Sequence, residues 1–264
     1  MEIVIVPDAE AVAERAAEEM ARVIRSRANA VIGVATGSSP LGTYAALARM
    51  VRNGDLDMTG VSAFALDEYV GLPPEHPESY HSVIGKTVTE QLGLSPERVH
   101  VPNGNASNFD EACDEYEREI AAAGGIDIQL LGIGANGHIG FNEPASSFAS
   151  RTRLKTLAPQ TRSDNARFFD SLDDVPVYSV TQGLGTIADA RRLLLVAQGE
   201  AKADAVAAMI EGPVATLCPA SALQLHRYAT VVIDEAAASK LKLRDYYDHV
   251  QHYRALAPTA PIQL

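Results

Sequence analysis

Between Leu131 and Pro144 the run LGIGANGHIGFNEP sets an amide, a histidine and a carboxylate, Asn136, His138 and Glu143, within eight residues. Gly132, Gly134, Gly137 and Gly140 fall in the same run, and glycines let a backbone fold tightly and aim side chains inward. A histidine titrates near neutrality, and a neighbouring carboxylate and amide can fix its tautomer. That is what a general acid/base needs. A lone histidine is usually structural, but this clustering points to a site.

Three other patterns bear on chemistry. ATGSSP, residues 35–40, follows a strand pattern and precedes a helix. Thr36, Gly37, Ser38 and Ser39 there offer amides, hydroxyls and a helix N-terminus, which suit a phosphate. No Gly-Lys-Ser/Thr follows, so it is not a Walker loop. Read alone, it is equally a capped strand-to-helix turn. Asp67 and Glu68, in LDEY, fall at the carboxyl end of another strand, the edge where open α/β sheets hold ligands. Taken by themselves, two adjacent acids read as a solvated turn or a helix cap. Arg162, Arg167 and Lys202 are candidate phosphate partners. His249 and His252 lack nearby acid or thiol partners and read as surface helix residues rather than metal ligands.

The elements that must position these residues alternate along the chain. Ile3–Val6, Ala30–Ala35, Val61–Leu66, Ile126–Ile133, Leu193–Ala197 and Thr230–Ile233 are short apolar runs rich in β-branched residues. Several are apolar at nearly every position, as strands covered on both faces are. Helical patterns lie between them: from Asp8, a candidate N-cap, to about Arg27; from a first turn holding Pro40; and over Phe109–Ala122, Lys202–Glu211 and Glu235–Leu243. This alternation predicts a doubly wound, mostly parallel Rossmann-like sheet in a single three-layer αβα domain spanning residues 1–264. From Asn142 to about Val177 the rhythm breaks into a polar stretch rich in Arg, Ser and Thr, so residues 144–177 are expected to form a lid.

Composition narrows the partners. A formal net charge of −12 leaves nothing to neutralise a row of phosphates, which excludes nucleic acid but not a small anionic substrate. No apolar run approaches the roughly 20 residues that span a bilayer, so no membrane role is expected. Cys113 and Cys218 show neither metal nor redox spacing. Two unpaired thiols and an N-terminus without a leader pattern lead us to expect a cytoplasmic protein. The oligomeric state is not legible, and a homo-oligomer is compatible with the sequence.

Taken together, ATGSSPLGTY, LDEYVGLPPEHPESY, GIGANGHIGFNEPASS and SRTRLKTL resemble the glucosamine-6-phosphate deaminase family, in the family's order and from about Val31 to Ile233. The resemblance implies an αβα fold and conversion of glucosamine 6-phosphate and water to fructose 6-phosphate and ammonium, without metal or other cofactor. It implies Asp67 as the base moving a proton from C2 to C1. His138 would open the pyranose ring, oriented by Asn136 and Glu143. Thr36, Gly37, Ser38, Ser39, Arg167 and Lys202 would hold the 6-phosphate. Many family members carry Asp where this chain has Asn136, which cannot lend negative charge to the imidazole. The resemblance further implies N-acetylglucosamine 6-phosphate as an activator at Ser146, Arg153, Lys155 and Thr156, with Tyr246 the nearest C-terminal candidate.

Two rival readings exist. The 6-phosphogluconolactonases share Gly-x-Gly-x-x-Gly-His but lack FNEP and DEYVGL, both present here. Sugar-phosphate sensors of related fold carry a DNA-binding module, for which this chain has neither spare length nor basic patch.

Overall fold

The computed structural model describes residues 1–256; the last eight residues of the expected domain lie outside the described residues. Among the described residues ten strands form, β1 (Glu2–Val6), β2 (Val31–Val34), β3 (Ser62–Ala65), β4 (Asp67–Tyr69), β5 (Val99–His100), β6 (Ile128–Leu131), β7 (Arg153–Thr156), β8 (Tyr178–Thr181), β9 (Leu193–Ala197) and β10 (Ala229–Asp234). The helices are α1 (Ala9–Ser26), α2 (Ser38–Arg52), α3 (Tyr80–Ile84), α4 (Glu90–Leu92), α5 (Phe109–Ala122), α6 (Pro159–Asn165), α7 (Leu184–Ala188), α8 (Ala203–Glu211) and α9 (Arg244–Leu256). A π-helical stretch, Gly85–Thr89, joins α3 to α4.

Seven strands make one parallel sheet in the order β1-β10-β9-β6-β2-β3-β5. Its apolar strands bury alternate residues in two separate cores. Val31, Leu131, Leu193 and Leu195 pack in the core shared with α5, α7 and α8. Ile32, Val34, Leu130, Leu194 and Val196 pack in the core shared with α1 and α2. Helices on both faces explain why several of these strands are apolar at nearly every position. Among the described residues, no helix is long and apolar enough to cross a membrane.

Most expected elements form where the sequence placed them. The Asp8 carboxylate accepts the Ala11 N–H at 2.9 Å and caps α1, while Pro40 sits in the first turn of α2. Three expectations fail. Glu235–Leu243 is not a helix: the Glu211 carboxylate accepts the N–H groups of Lys242 and Leu243, so those amides cannot build a helical ladder. The helix begins at Arg244 instead. The run Val61–Leu66 ends its strand at Ala65, and the chain switches into a second sheet. That sheet, β4-β8-β7, is antiparallel. The stretch 142–177 is not irregular, since it holds β7 and α6. β7 reads RLKT because it is a half-exposed edge strand. The seven-residue α6 is too short and polar to show a helical period. Turned over the ends of β2 and β3, it helps to enclose a cavity.

Candidate active site

The carboxyl ends of β2, β3, β6 and β9 open into a cavity of about 590 Å³. β2 and β6 are neighbours in the sheet although distant in sequence, and such a crossover point leaves a crevice between diverging loops. Thr36, Gly37, Ser38 and Ser39 after β2, Asp67 after β3, His138 after β6, Lys202 beyond β9 and Arg167 beyond α6 all line it. Asn136 and Glu143 stand behind His138. Ser146, Arg153, Lys155 and Thr156 are not part of the wall. Arg162 is turned away, with its guanidinium on the carbonyls of Leu172 and Val175.

One end of the cavity is built for an anion. The N-terminus of the 15-residue α2 begins at Ser38, and its first amides and hydroxyls have no helical partners of their own. Burial, followed by the neighbouring Arg167 charge, holds the Lys202 ammonium below the ordinary lysine range. Asp164 pulls the other way without an ion pair, and two cations so close together form a site that a phosphate would complete. Neither makes an ion pair among the described residues.

Asp67 lies in the opposite situation. It is 5% exposed, and burial, then the charge of Glu68, pushes its carboxyl up to about 8, against a small opposing pull from the Phe141 amide. The two adjacent acids diverge because strand alternation sends them to opposite faces of β4. Glu68 accepts the N–H groups of Tyr69, Tyr80 and His81 at 2.7–2.8 Å and the Ser79 hydroxyl at 2.8 Å. It therefore caps α3. The helix-cap reading of this pair is right for Glu68; Asp67 faces the cavity. β4 pairs with β8, Asp67 opposite Thr181, and the Gln182 N–H donates to the Leu66 carbonyl at 2.7 Å, so the Asp67 backbone is held on both sides.

His138 is fixed through Asn136. The Asn136 Oδ1 lies 2.7 Å from His138 Nδ1 and accepts the His138 backbone N–H at 3.1 Å. Its Nδ2 donates to Glu143 Oε2 at 2.8 Å. The other Glu143 oxygen accepts from the Thr161 hydroxyl at 2.5 Å and the Ala158 N–H at 3.2 Å, both at the start of α6. An amide that gives its N–H to a carboxylate can offer only oxygen to the imidazole, so the neutral ring carries its proton on Nδ1. Nε2 is left as a lone pair without a protein partner among the described residues. Burial holds the His138 imidazole below the usual histidine range; Glu143 and Asp164 pull it up, and Lys202 pushes it down. Gly134 gives the ring its space: a Cβ there would meet the imidazole at 2.2 Å.

The structure adds residues that the sequence reading missed. Tyr80 lines the cavity, with its ring 4.8 Å from that of Tyr69 and stacked on Phe141 at 5.8 Å. Tyr69 in turn accepts from Asn165 Nδ2 at 2.9 Å, linking β4 to α6. The only signal for Tyr80 was that the motif LDEYVGLPPEHPESY ends on it. Asp164 and Asn165, also lining, gave no signal. Away from the cavity, Arg153 and Lys155 occupy alternate positions on one face of β7, and Thr156 falls on the other. Ser146 Oγ is buried without a hydrogen-bond partner, and Tyr246 is exposed on α9.

Comparison with known proteins places this arrangement among relatives. The family of glucosamine-6-phosphate isomerases and 6-phosphogluconolactonases matches residues 8–232. A glucosamine-6-phosphate deaminase of Streptomyces avermitilis is 60% identical over 94% of this chain and 96% of its own length. Another, of Pseudarthrobacter chlorophenolicus, is 56% identical over 94% and 96%. The solved structure of a monomeric glucosamine-6-phosphate deaminase superimposes with a TM-score of 0.88 at 43% identity, covering 90% of this chain and 99% of that one. A 6-phosphogluconolactonase from Trypanosoma cruzi, with a TM-score of 0.72 at 18% identity over 91% and 97%, shares the fold alone.

Proposed function

The chain belongs to the family of glucosamine-6-phosphate isomerases and 6-phosphogluconolactonases, among its glucosamine-6-phosphate deaminases, and we infer that it converts glucosamine 6-phosphate and water to fructose 6-phosphate and ammonium. The observation that carries the division of labour is the pairing of two acid/base groups of different character in one cavity. One is a buried carboxyl held near 8; the other is an imidazole whose free nitrogen is set by an amide.

The phosphate anchors first, against the α2 N-terminus, Thr36, Ser38, Ser39, Lys202 and Arg167. Charged hydrogen bonds of this kind position the reacting end. His138 Nε2 takes the anomeric hydroxyl proton and returns a proton to the ring oxygen, opening the pyranose. The C2 proton then passes to the Asp67 carboxylate while the substrate ammonium gives a proton to the C1 aldehyde oxygen, and Asp67 delivers its proton to C1. The electron pair moves through a C1–C2 enamine, leaving an iminium at C2. Water adds there, and the C–N bond breaks to give the ketone and ammonium. The substrate's own ammonium favours the ionised Asp67 that this step needs. α6 and the following turn act as the lid, since they bring Asn165 and Arg167 to the cavity. Every residue in this scheme comes from one chain, so it requires no second copy.

Ammonium release from glucosamine 6-phosphate, with 6-phosphogluconolactone hydrolysis as the control, tests the reading. Lactone hydrolysis without ammonium release would overturn it. We also propose N-acetylglucosamine 6-phosphate as an effector read by Arg153 and Lys155, because both project from one face of β7, with Ser146 and the Thr156 backbone supplying further contacts.

A further inference from the structure

The turn that carries Lys202 is held from the neighbouring strand by a buried carboxylate, and we propose that Asp234 is a positioning residue for phosphate binding, acting on Lys202 through Gly199. This rests on the phosphate clamp assigned above and adds to it a residue outside the cavity wall. β9 and β10 run side by side, Ala197 opposite Ile233, so Gly199 and Asp234 emerge together at their carboxyl ends. The Gly199 N–H lies 3.1 and 3.0 Å from the two Asp234 carboxylate oxygens. Asp234 is 7% exposed. The Gly199 carbonyl accepts the Lys202 N–H at 3.0 Å, closing the 3-10 turn Glu200–Lys202.

Gly199 is thus gripped at both ends, by Asp234 on its N–H and by Lys202 on its carbonyl. Its backbone, at φ 85 and ψ 152, lies where side chains other than hydrogen are strained. The bond to the Lys202 N–H fixes the carbonyl side of that conformation, and the bond from Asp234 fixes the amide side. A charge-assisted bond to a buried amide is the stronger kind. Rotating the Gly199 peptide would swing the turn and carry the Lys202 ammonium away from Arg167 and the α2 N-terminus. Asp234 also accepts the Ala237 N–H at 2.7 Å, which is local capping after β10. The contact to Gly199 bridges 35 residues and serves the clamp.

The test is Asp234→Asn, which removes the charge and replaces one of the two oxygens facing the Gly199 N–H by an amide donor. KM for glucosamine 6-phosphate and Ki for inorganic phosphate should both rise roughly tenfold, with kcat kept within about twofold. Lys202→Ala should raise the same two constants, and adding Asp234→Asn to it should raise them no further. If Asp234→Asn does not fold, Gly199→Ala strains the same turn where a Cβ meets nothing within 4 Å, and the same outcomes are expected of it. Wild-type KM and Ki in these variants, or a full further rise on top of Lys202→Ala, would overturn the positioning role alone. Unchanged constants in Lys202→Ala itself would overturn the clamp assignment and this proposal with it.

Discussion

Glu143 and His138 stand 3.7 Å apart, Oε2 to Nδ1, and Asn136 makes the hydrogen bonds to both. The carboxylate therefore acts on the imidazole twice: through space, by its charge, and through the amide, whose orientation it dictates. The same carboxylate accepts from Thr161 at the start of α6, so the acid/base group and the cover of the cavity share one anchor.

Asn136→Asp replaces the neutral bridge by a second acid. A carboxylate at 2.7 Å from Nδ1 favours the imidazolium, so the limb of the pH–rate profile set by His138 should move up. The new acid also faces Glu143, and one of the two must stay protonated or repel the other. A pH profile identical to wild type would show that His138 does not set that limb.

Asp67→Asn should cut turnover by roughly 10²–10⁴-fold and abolish solvent exchange of the C2 proton. In the wild type, the base must be ionised, and its pKa of about 8 means that kcat/KM should climb with pH until near that value. Stability runs the other way. The folded value lies above the ordinary 3.8, so the stability from the neutral carboxyl is complete below 3.8 and lost as pH rises through 8. Urea unfolding across that window should fall more steeply for wild type than for Asp67→Asn. Parallel curves would place the carboxyl outside this account.

Gly134→Ala should leave the fold intact and displace the His138 ring, because the added Cβ overlaps the imidazole rather than any backbone atom. Ring opening should suffer most. An open-chain substrate analogue should recover most of the lost rate, whereas equal losses on cyclic and open-chain compounds would count against His138 as the ring-opening group.

Arg167→Ala and Lys202→Ala should each weaken binding of the phosphorylated substrate, by about 1.5–3 kcal/mol for a charged hydrogen bond. Free glucosamine should be a poor substrate. Efficient deamination of it by the wild type would remove the reason for the clamp.

Lys155→Ala should erase any fall in half-saturating substrate concentration produced by N-acetylglucosamine 6-phosphate, a coupling of typically 1–3 kcal/mol. Superimposable saturation curves of the wild type with and without effector would end that proposal.

What the sequence made legible follows from how strongly burial marks it. Leu193–Ala197 is apolar at every position because both its faces are covered, and its strand was placed to the residue. Asp8 declared the start of α1 by its side chain. Asp67 and Glu68 were ambiguous because their difference is created by β4, a three-residue strand with no pattern of its own. Glu235–Leu243 misled because Glu211, distant in sequence, takes its amides. β7 and α6 are half-exposed, so neither strand nor helix period appears. Asn136, His138 and Glu143 were grouped correctly by proximity in the chain, but the order in which they touch needed coordinates.

The brevity of β4 has an implication for fidelity. Two carboxylates sit side by side in a strand where neighbours point to opposite faces, so sliding its pairing on β8 by one residue would exchange them. The chain would then show the wrong acid to the cavity while keeping the same outline. Glu68, seated on four donors from Tyr69, Ser79, Tyr80 and His81, works as a key that fits only one alignment. A slipped pairing would forfeit those four bonds, so the seat of Glu68 keeps Asp67 on the cavity side.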